Sequence, residues 1–162
     1  MKALSLIQPY ATLIMLGYKQ FETRSWNTSH CGPLAIHASV GKPKWAREVA
    51  ETDPHIKAAL AEHGLTFDTL PRGAVLGVCK LMSTLPIAGP DTYLKNDEPH
   101  MFCHPEQLTP MEFAAGDYTP GRYAWKLEAV EAIVHPIACK GALSLWELPG
   151  PVFNTLHIAL SV

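Results

Sequence analysis

Gln8, Lys19, Glu22 and Arg24 fall close together near the start of the chain, and their types suit work on an anion or a nitrogen heterocycle. Gln20, Glu22, Arg24 and Trp26 alternate with Phe21, Thr23 and Ser25. On a strand, alternate residues share a face and lie about 7 Å apart, so Glu22 and Arg24 can reach one cavity, with Thr23 directed the other way. Lys19 stands at the turn before this segment, where strand phase does not fix its direction. Burial disfavours a charged amine, so a lysine in a dry pocket gives up its proton more readily and can act as a general base beside Glu22. Arg24 offers a planar fork that fits a phosphate or a base edge. The same spacing also describes an ordinary ion pair at a rim with a solvated Lys19, and spacing alone favours that plainer reading.

A second group is aromatic and basic: Arg122, Tyr123, Trp125 and Lys126, with Lys140 and Trp146 further on. Rings beside cations stack bases without sequence preference. Large aromatics on alternate strand positions also simply pack inward, and that reading stands beside the first. His100-Met-Phe-Cys103-His104, with Cys31, Cys79 or Cys139, matches no common zinc spacing, and loop residues of mixed polarity account for it better. No metal or cofactor is expected. Phosphate-loop, dinucleotide, nucleophile-elbow and H-E-x-x-H patterns are all missing, so those chemistries have no support.

The elements that must position these side chains follow from local pattern. Ala3–Ile7 reads as a strand, and Tyr10 opens a short helix that Gly17 closes. Gln20–Trp26 is a strand. Leu34–Ser39 is the next, with His37 on the face of Ala35 and Ser39. Lys44 to about Glu62 reads as helix interrupted near Asp53-Pro54. Ala74–Leu85 is apolar on both faces, as in a doubly covered strand. Pro86–Pro120 reads as a long irregular excursion with a short helix at Pro110–Ala115, a length that is unusual without a job. Arg122–Val134 is a long strand with a bulge near Glu128. Pro136–Gly150 reads as loop and Asn154–Val162 as a final strand. This order predicts an α+β fold, a small mixed β-barrel with helices at its rim.

The 162 residues fit one domain spanning 1–162, with 48% hydrophobic and 17% charged residues. The formal net charge of -2 excludes a broad phosphate grip, so any nucleic-acid contact must be local. The four cysteines form no C-x-x-C pair. No signal peptide and no apolar run near the roughly 18 residues of a membrane span are evident. A cytoplasmic protein with reduced thiols is the expectation.

Leu4-Ser-Leu-Ile-Gln-Pro-Tyr10-Ala, then Gly17-Tyr-Lys19-Gln-Phe-Glu22-Thr-Arg24-Ser-Trp26, then Gly32-Pro-Leu-Ala-Ile-His-Ala38 strongly resembles the ASCH (activating signal cointegrator homology) family, including its G-x-K-x-x-E-x-R signature. Gly73-Ala-Val-Leu-Gly-Val and Gly116–Glu128 are similar to further ASCH segments, so the resemblance covers most of the chain. It implies a PUA-like fold and binding of nucleic acid, RNA before DNA, or of a nucleoside-like small molecule, in a cleft between the first helix and the barrel. Gln8, Lys19, Glu22 and Arg24 would line that cleft, and Tyr10 stands where many relatives carry tryptophan. In a binding role Lys19 and Arg24 would meet phosphate or base edge and Tyr10, Trp26 or Trp125 would stack a base, with His37, Arg122 and Lys140 as further candidate binding residues. Some relatives of this fold are enzymes. One branch resembles an amidohydrolase acting on N4-acylated cytidines, whose nucleophile is a threonine three residues after the lysine. Glu22 holds that position here, so Lys19 and Glu22 would have to activate water instead. Ribonuclease activity and a protein-interaction role for the Pro86–Pro120 excursion are the other readings.

Overall fold

The computed structural model describes residues 1–89 and 102–161. Among the described residues six strands form one sheet: β1 (Lys2–Leu6), β2 (Phe21–Arg24), β3 (Gly32–Ala38), β4 (Ala74–Pro86), β5 (Tyr123–Ala138) and β6 (Leu145–Glu147). Their spatial order is β2-β5-β4-β3-β1-β6, with β1 and β3 parallel and all other pairs antiparallel. The sheet is a curled half-barrel in a mixed α+β fold, as the order of elements predicts. Five helices accompany it among the described residues: α1 (Tyr10–Met15), α2 (Lys44–Thr52), α3 (Pro54–Glu62), α4 (Pro110–Ala114) and α5 (Gly150–Leu160).

Strand alternation sorts the core. Leu4, Leu6, Leu34, Ile36 and Leu81 face α1 and pack with Ala11, Ile14 and Trp125. Each such aliphatic side chain stabilises the fold by roughly 1.5–3 kcal/mol when fully buried. Ala3, Ala35 and Val75 project from the opposite face, onto Leu156 of α5. A third cluster joins α2 and α3 to Leu13 and Ala115. The Asp53 side chain accepts from the backbone N–H groups of His55 and Ile56, so the interruption near Asp53-Pro54 is a cap starting α3. The bulge near Glu128 is present: Val78 pairs with Glu131 and Lys80 with Glu128, leaving Ala129 at φ 49.

Two expectations at the end of the chain need correction. Asn154–Val162 is not a strand: α5 runs through it to Leu160, and Val162 lies outside the described residues. Pro151 suits a first helical turn, where its missing N–H leaves no bond unmade. Val152, Phe153, Leu156 and Leu160, at helical spacing, then pack on the outer face of the sheet. Within Pro136–Gly150, β6 adds to the free edge of β1, pairing Lys2 with Glu147 and Leu4 with Leu145.

The Pro86–Pro120 excursion is only partly described, since residues 90–101 lie outside the described residues, His100 of the metal reading among them. Among the described residues no three His, Cys, Asp or Glu side chains gather as a metal site, and no helix is long and apolar enough to cross a membrane. Burial pushes the Cys79 thiol up to about 12.

A candidate ligand cleft beside the first helix

The loop after α1 aims the signature lysine. Gly17, at φ 81, lets the chain reverse, and the N–H groups of Tyr18 and Lys19 both donate to Leu13 O. Lys19 is therefore directed inward and is only 1% exposed. Its Nζ donates to the carbonyl oxygen of Ala115 at 2.6 Å and lies 3.4 Å from Glu22 Oε2. Glu22 in turn sits between two cations, with Arg24 Nε 3.3 Å from Oε1. Arg24 Nη2 donates to Ser5 O at 3.1 Å, which ties β2 to β1 across the open side of the sheet.

These side chains line a cleft of about 420 Å³. Tyr10 forms part of its wall, with the Lys19 ammonium 5.7 Å from the ring centroid. Burial, with the nearby Glu22 and Asp53 carboxylates, raises the Tyr10 hydroxyl above its ordinary value. Trp45, near the start of α2 and 52% exposed, stacks against Tyr10 with centroids 6.3 Å apart and planes at 28°. The opposite wall comes from the excursion: Ala115, Gly116 and Asp117. Arg122 Nε donates to Asp117 O at 3.1 Å and Nη2 to Thr23 O at 3.4 Å, locking that wall to β2. Bonds from Thr119 and the charge of Arg122 hold the Asp117 carboxyl below its usual value.

Glu112 anchors the excursion. This buried carboxylate accepts from the N–H groups of Gln20 and Phe21, on the unpaired edge leading into β2, and from the Tyr118 hydroxyl. Gly116 allows the close approach, since a Cβ there would meet Tyr118 at 2.7 Å and Thr23 at 3.1 Å. The described part of the long excursion thus has a job, as one wall of the cleft.

The structure brings Tyr10, Lys19, Glu22 and Arg24 together around one cleft, where Arg122 of the aromatic and basic group joins them. His37 and Lys140 lie next door, in a second lobe beyond Arg24. Four residues need correction. Gln8 is fully buried away from the cleft: its amide donates to Thr12 Oγ1 and Pro71 O and accepts from Thr12 N, which fixes the start of α1. Trp125 cannot stack a base from where it stands. It is 0% exposed, because β5 is paired on both sides and α1 covers that face. Trp26 packs edge-on against Trp125 at 4.7 Å and lines neither lobe. Thr23 does not turn away: it borders the cleft, its hydroxyl accepting from Asp117 N–H. Ser5, Trp45 and Asp117 were not anticipated as cleft residues. For Trp45 the one sequence signal is an aromatic among basic residues in Lys42-Pro-Lys44-Trp45-Ala-Arg47.

A family model for the ASCH domain matches residues 4–137. Over 146 residues the sequence is 30% identical to activating signal cointegrator 1 of Homo sapiens, covering 86% of this chain and 24% of that protein. The mouse protein of the same name is 35% identical over 82 residues, 51% of this chain and 14% of its own length. The chain thus spans a quarter or less of the length of these curated relatives. The crystal structure of ASCH from Zymomonas mobilis superposes with a TM-score of 0.52 at 17% identity, covering 97% of this chain and 93% of the other. That likeness concerns the fold.

Proposed function

This chain belongs to the ASCH domain family, and from that premise we propose that it binds single-stranded nucleic acid, RNA before DNA, in the cleft beside α1. The observation that carries the reading is the convergence in one cleft of three cations, Lys19, Arg24 and Arg122, with the Tyr10–Trp45 pair, whose Trp45 ring is exposed. Cations draw the phosphate backbone, and an exposed ring at a cleft mouth supplies a stacking surface that tolerates any base. Glu22 and Asp117 offset part of the positive charge, so the electrostatic share of binding is modest, in keeping with the net charge of -2. The same carboxylates, with Thr23, are acceptors for ligand donors, and a ribose 2′-hydroxyl is such a donor. Fluorescence anisotropy with matched RNA and DNA strands tests the reading. Tighter RNA binding that weakens in Trp45→Ala supports it, and indifference of both strands to the protein at low salt refutes it.

One observation favours a second reading, hydrolysis of a nucleoside amide or of RNA in the same place. A lysine and a glutamate held 3.4 Å apart in a ligand-sized cleft are groups that can exchange a proton with a substrate. Turnover of an N4-acylcytidine or an RNA strand that disappears in Glu22→Gln supports this reading. Turnover absent from the wild type excludes it.

A further inference from the structure

The cleft does not end at Arg24. A second lobe of about 500 Å³ opens beyond it and shares Ser5, Ile7 and Arg24 with the first. The two lobes differ in charge. The first holds the carboxylates of Glu22 and Asp117, whereas among the described residues the second holds none, and its charged side chains are Arg24 and Lys140. Its rim is apolar: Leu143 is 92% exposed and Val40 76%. Deep in the lobe two polar atoms, His37 Nδ1 and Ser39 Oγ, have no hydrogen-bond partner among the described residues. His37 is itself only 1% exposed. Its Nε2 must carry the ring proton, because it bonds to the carbonyl oxygen of Cys139 at 2.9 Å, which can only accept. Nδ1 is left as a bare acceptor. Gly141 shields it so closely that a Cβ there would lie 2.5 Å from the imidazole.

A flat apolar body, donor groups at its edge and a negative charge beside it together describe a nucleotide. The base would lie against Val40 and Leu143, and its amino or ring N–H would meet His37 Nδ1 as Gly141 moves outward. The phosphate would fall at Arg24, on the divide between the lobes. We propose that the second lobe holds the neighbouring nucleotide of a strand whose other nucleotide occupies the Lys19 lobe, so that the ligand is a polynucleotide crossing Arg24 and not a free nucleotide. This inference rests on the reading of the Lys19 lobe as a nucleotide site.

Calorimetric titration of the full chain with uridine monophosphate, the dinucleotide UpU and a longer oligouridylate tests it. The dinucleotide is expected to bind at least about tenfold tighter than the monophosphate, the gain from one added base buried against apolar side chains. Ala142→Trp, which fills the lobe from an exposed segment, removes that gain and leaves the monophosphate affinity unchanged. Lys140→Glu reduces the gain through charge alone, and decides the matter should the tryptophan variant fail to fold. Equal affinity for monophosphate and dinucleotide, or a gain that survives both variants, overturns the two-lobe assignment while the Lys19 reading stands. Failure of all three ligands to bind overturns that reading and this inference with it.

Discussion

Lys19 Nζ donates to the carbonyl oxygen of Ala115, 96 residues further along the chain, at 2.6 Å. The same ammonium lies 3.4 Å from Glu22 Oε2. The signature lysine is therefore a structural tie between the loop after α1, β2 and the excursion, as well as part of the cleft wall. Truncating it to probe binding disturbs the fold too.

Lys19→Ala leaves Glu22 buried with Arg24 as its remaining cation, and frees the Ala115 carbonyl. Breaking a buried pair costs about 3–5 kcal/mol, and Arg24 holds the loss near the lower end. Urea unfolding measures it. A loss below about 0.5 kcal/mol, the scale of an inconsequential surface change, would mean that the tie carries no weight.

Glu112→Ala removes the acceptor for Gln20 N–H, Phe21 N–H and the Tyr118 hydroxyl together. The Tyr118 bond is buried, where an unsatisfied donor costs about 1–3 kcal/mol, and the two part-buried backbone donors add less. The expected result is a stability loss of at least about 2 kcal/mol, with hydrogen exchange at the amides of Gln20 and Phe21 speeding up before that of the central strands. Uniform acceleration across β4 and β5 would instead indicate that the excursion is not a separately anchored unit.

Much of this arrangement was legible in the residue order. Alternation alone placed Glu22 and Arg24 on one side of a strand, because a strand has a period of two whatever surrounds it. Tertiary docking decided the rest. Nothing local distinguishes Trp125 as a stacking platform from Trp125 as core, since that depends on β2 and β4 pairing with β5 and on α1 covering it. Trp45 reaches the cleft only because α2 docks beside Tyr10. Thr23 borders the cleft because Gly116 and Asp117 wrap around the edge strand to meet it. Apolar residues spread through Asn154–Leu160 read as strand until the outer sheet face, with Ala3, Ala35 and Val75, exists to receive a helix.

Trp45→Ala removes the exposed half of the Tyr10–Trp45 pair without touching the buried ion pairs. Loss of one stacked base is worth about 1–3 kcal/mol, so affinity for single-stranded RNA falls by roughly tenfold or more. Trp45→Phe retains most of the affinity. Equal losses in the two variants would point away from stacking.

Burial lowers the pKa of His37 below its ordinary 6.5, outweighing the bond to Cys139 O. As pH falls through about 6.5 the unfolded chain takes up this proton first. The unfolded state then binds more protons, so stability falls with falling pH, from about 6.5 down to the lowered folded value, and is fully present above that window. His37→Gln removes this component. Unfolding free energies at about pH 7.5 and about pH 5.5 should therefore differ less in the variant than in the wild type. An identical difference in both proteins would assign the pH dependence to other groups.

In the proposed role the Lys19–Arg24 cleft receives a single-stranded nucleic acid. The most direct test of that role is RNA binding by anisotropy across a salt series, comparing the wild type with Arg24→Gln and Trp45→Ala, each first shown by thermal melting to be folded. The account predicts saturable wild-type binding whose log–log salt slope is about -0.7 per phosphate contact. It predicts a shallower slope in Arg24→Gln, and a lower affinity at unchanged slope in Trp45→Ala. Wild-type binding that is absent at low salt, or that both variants reproduce in affinity and slope, would contradict it.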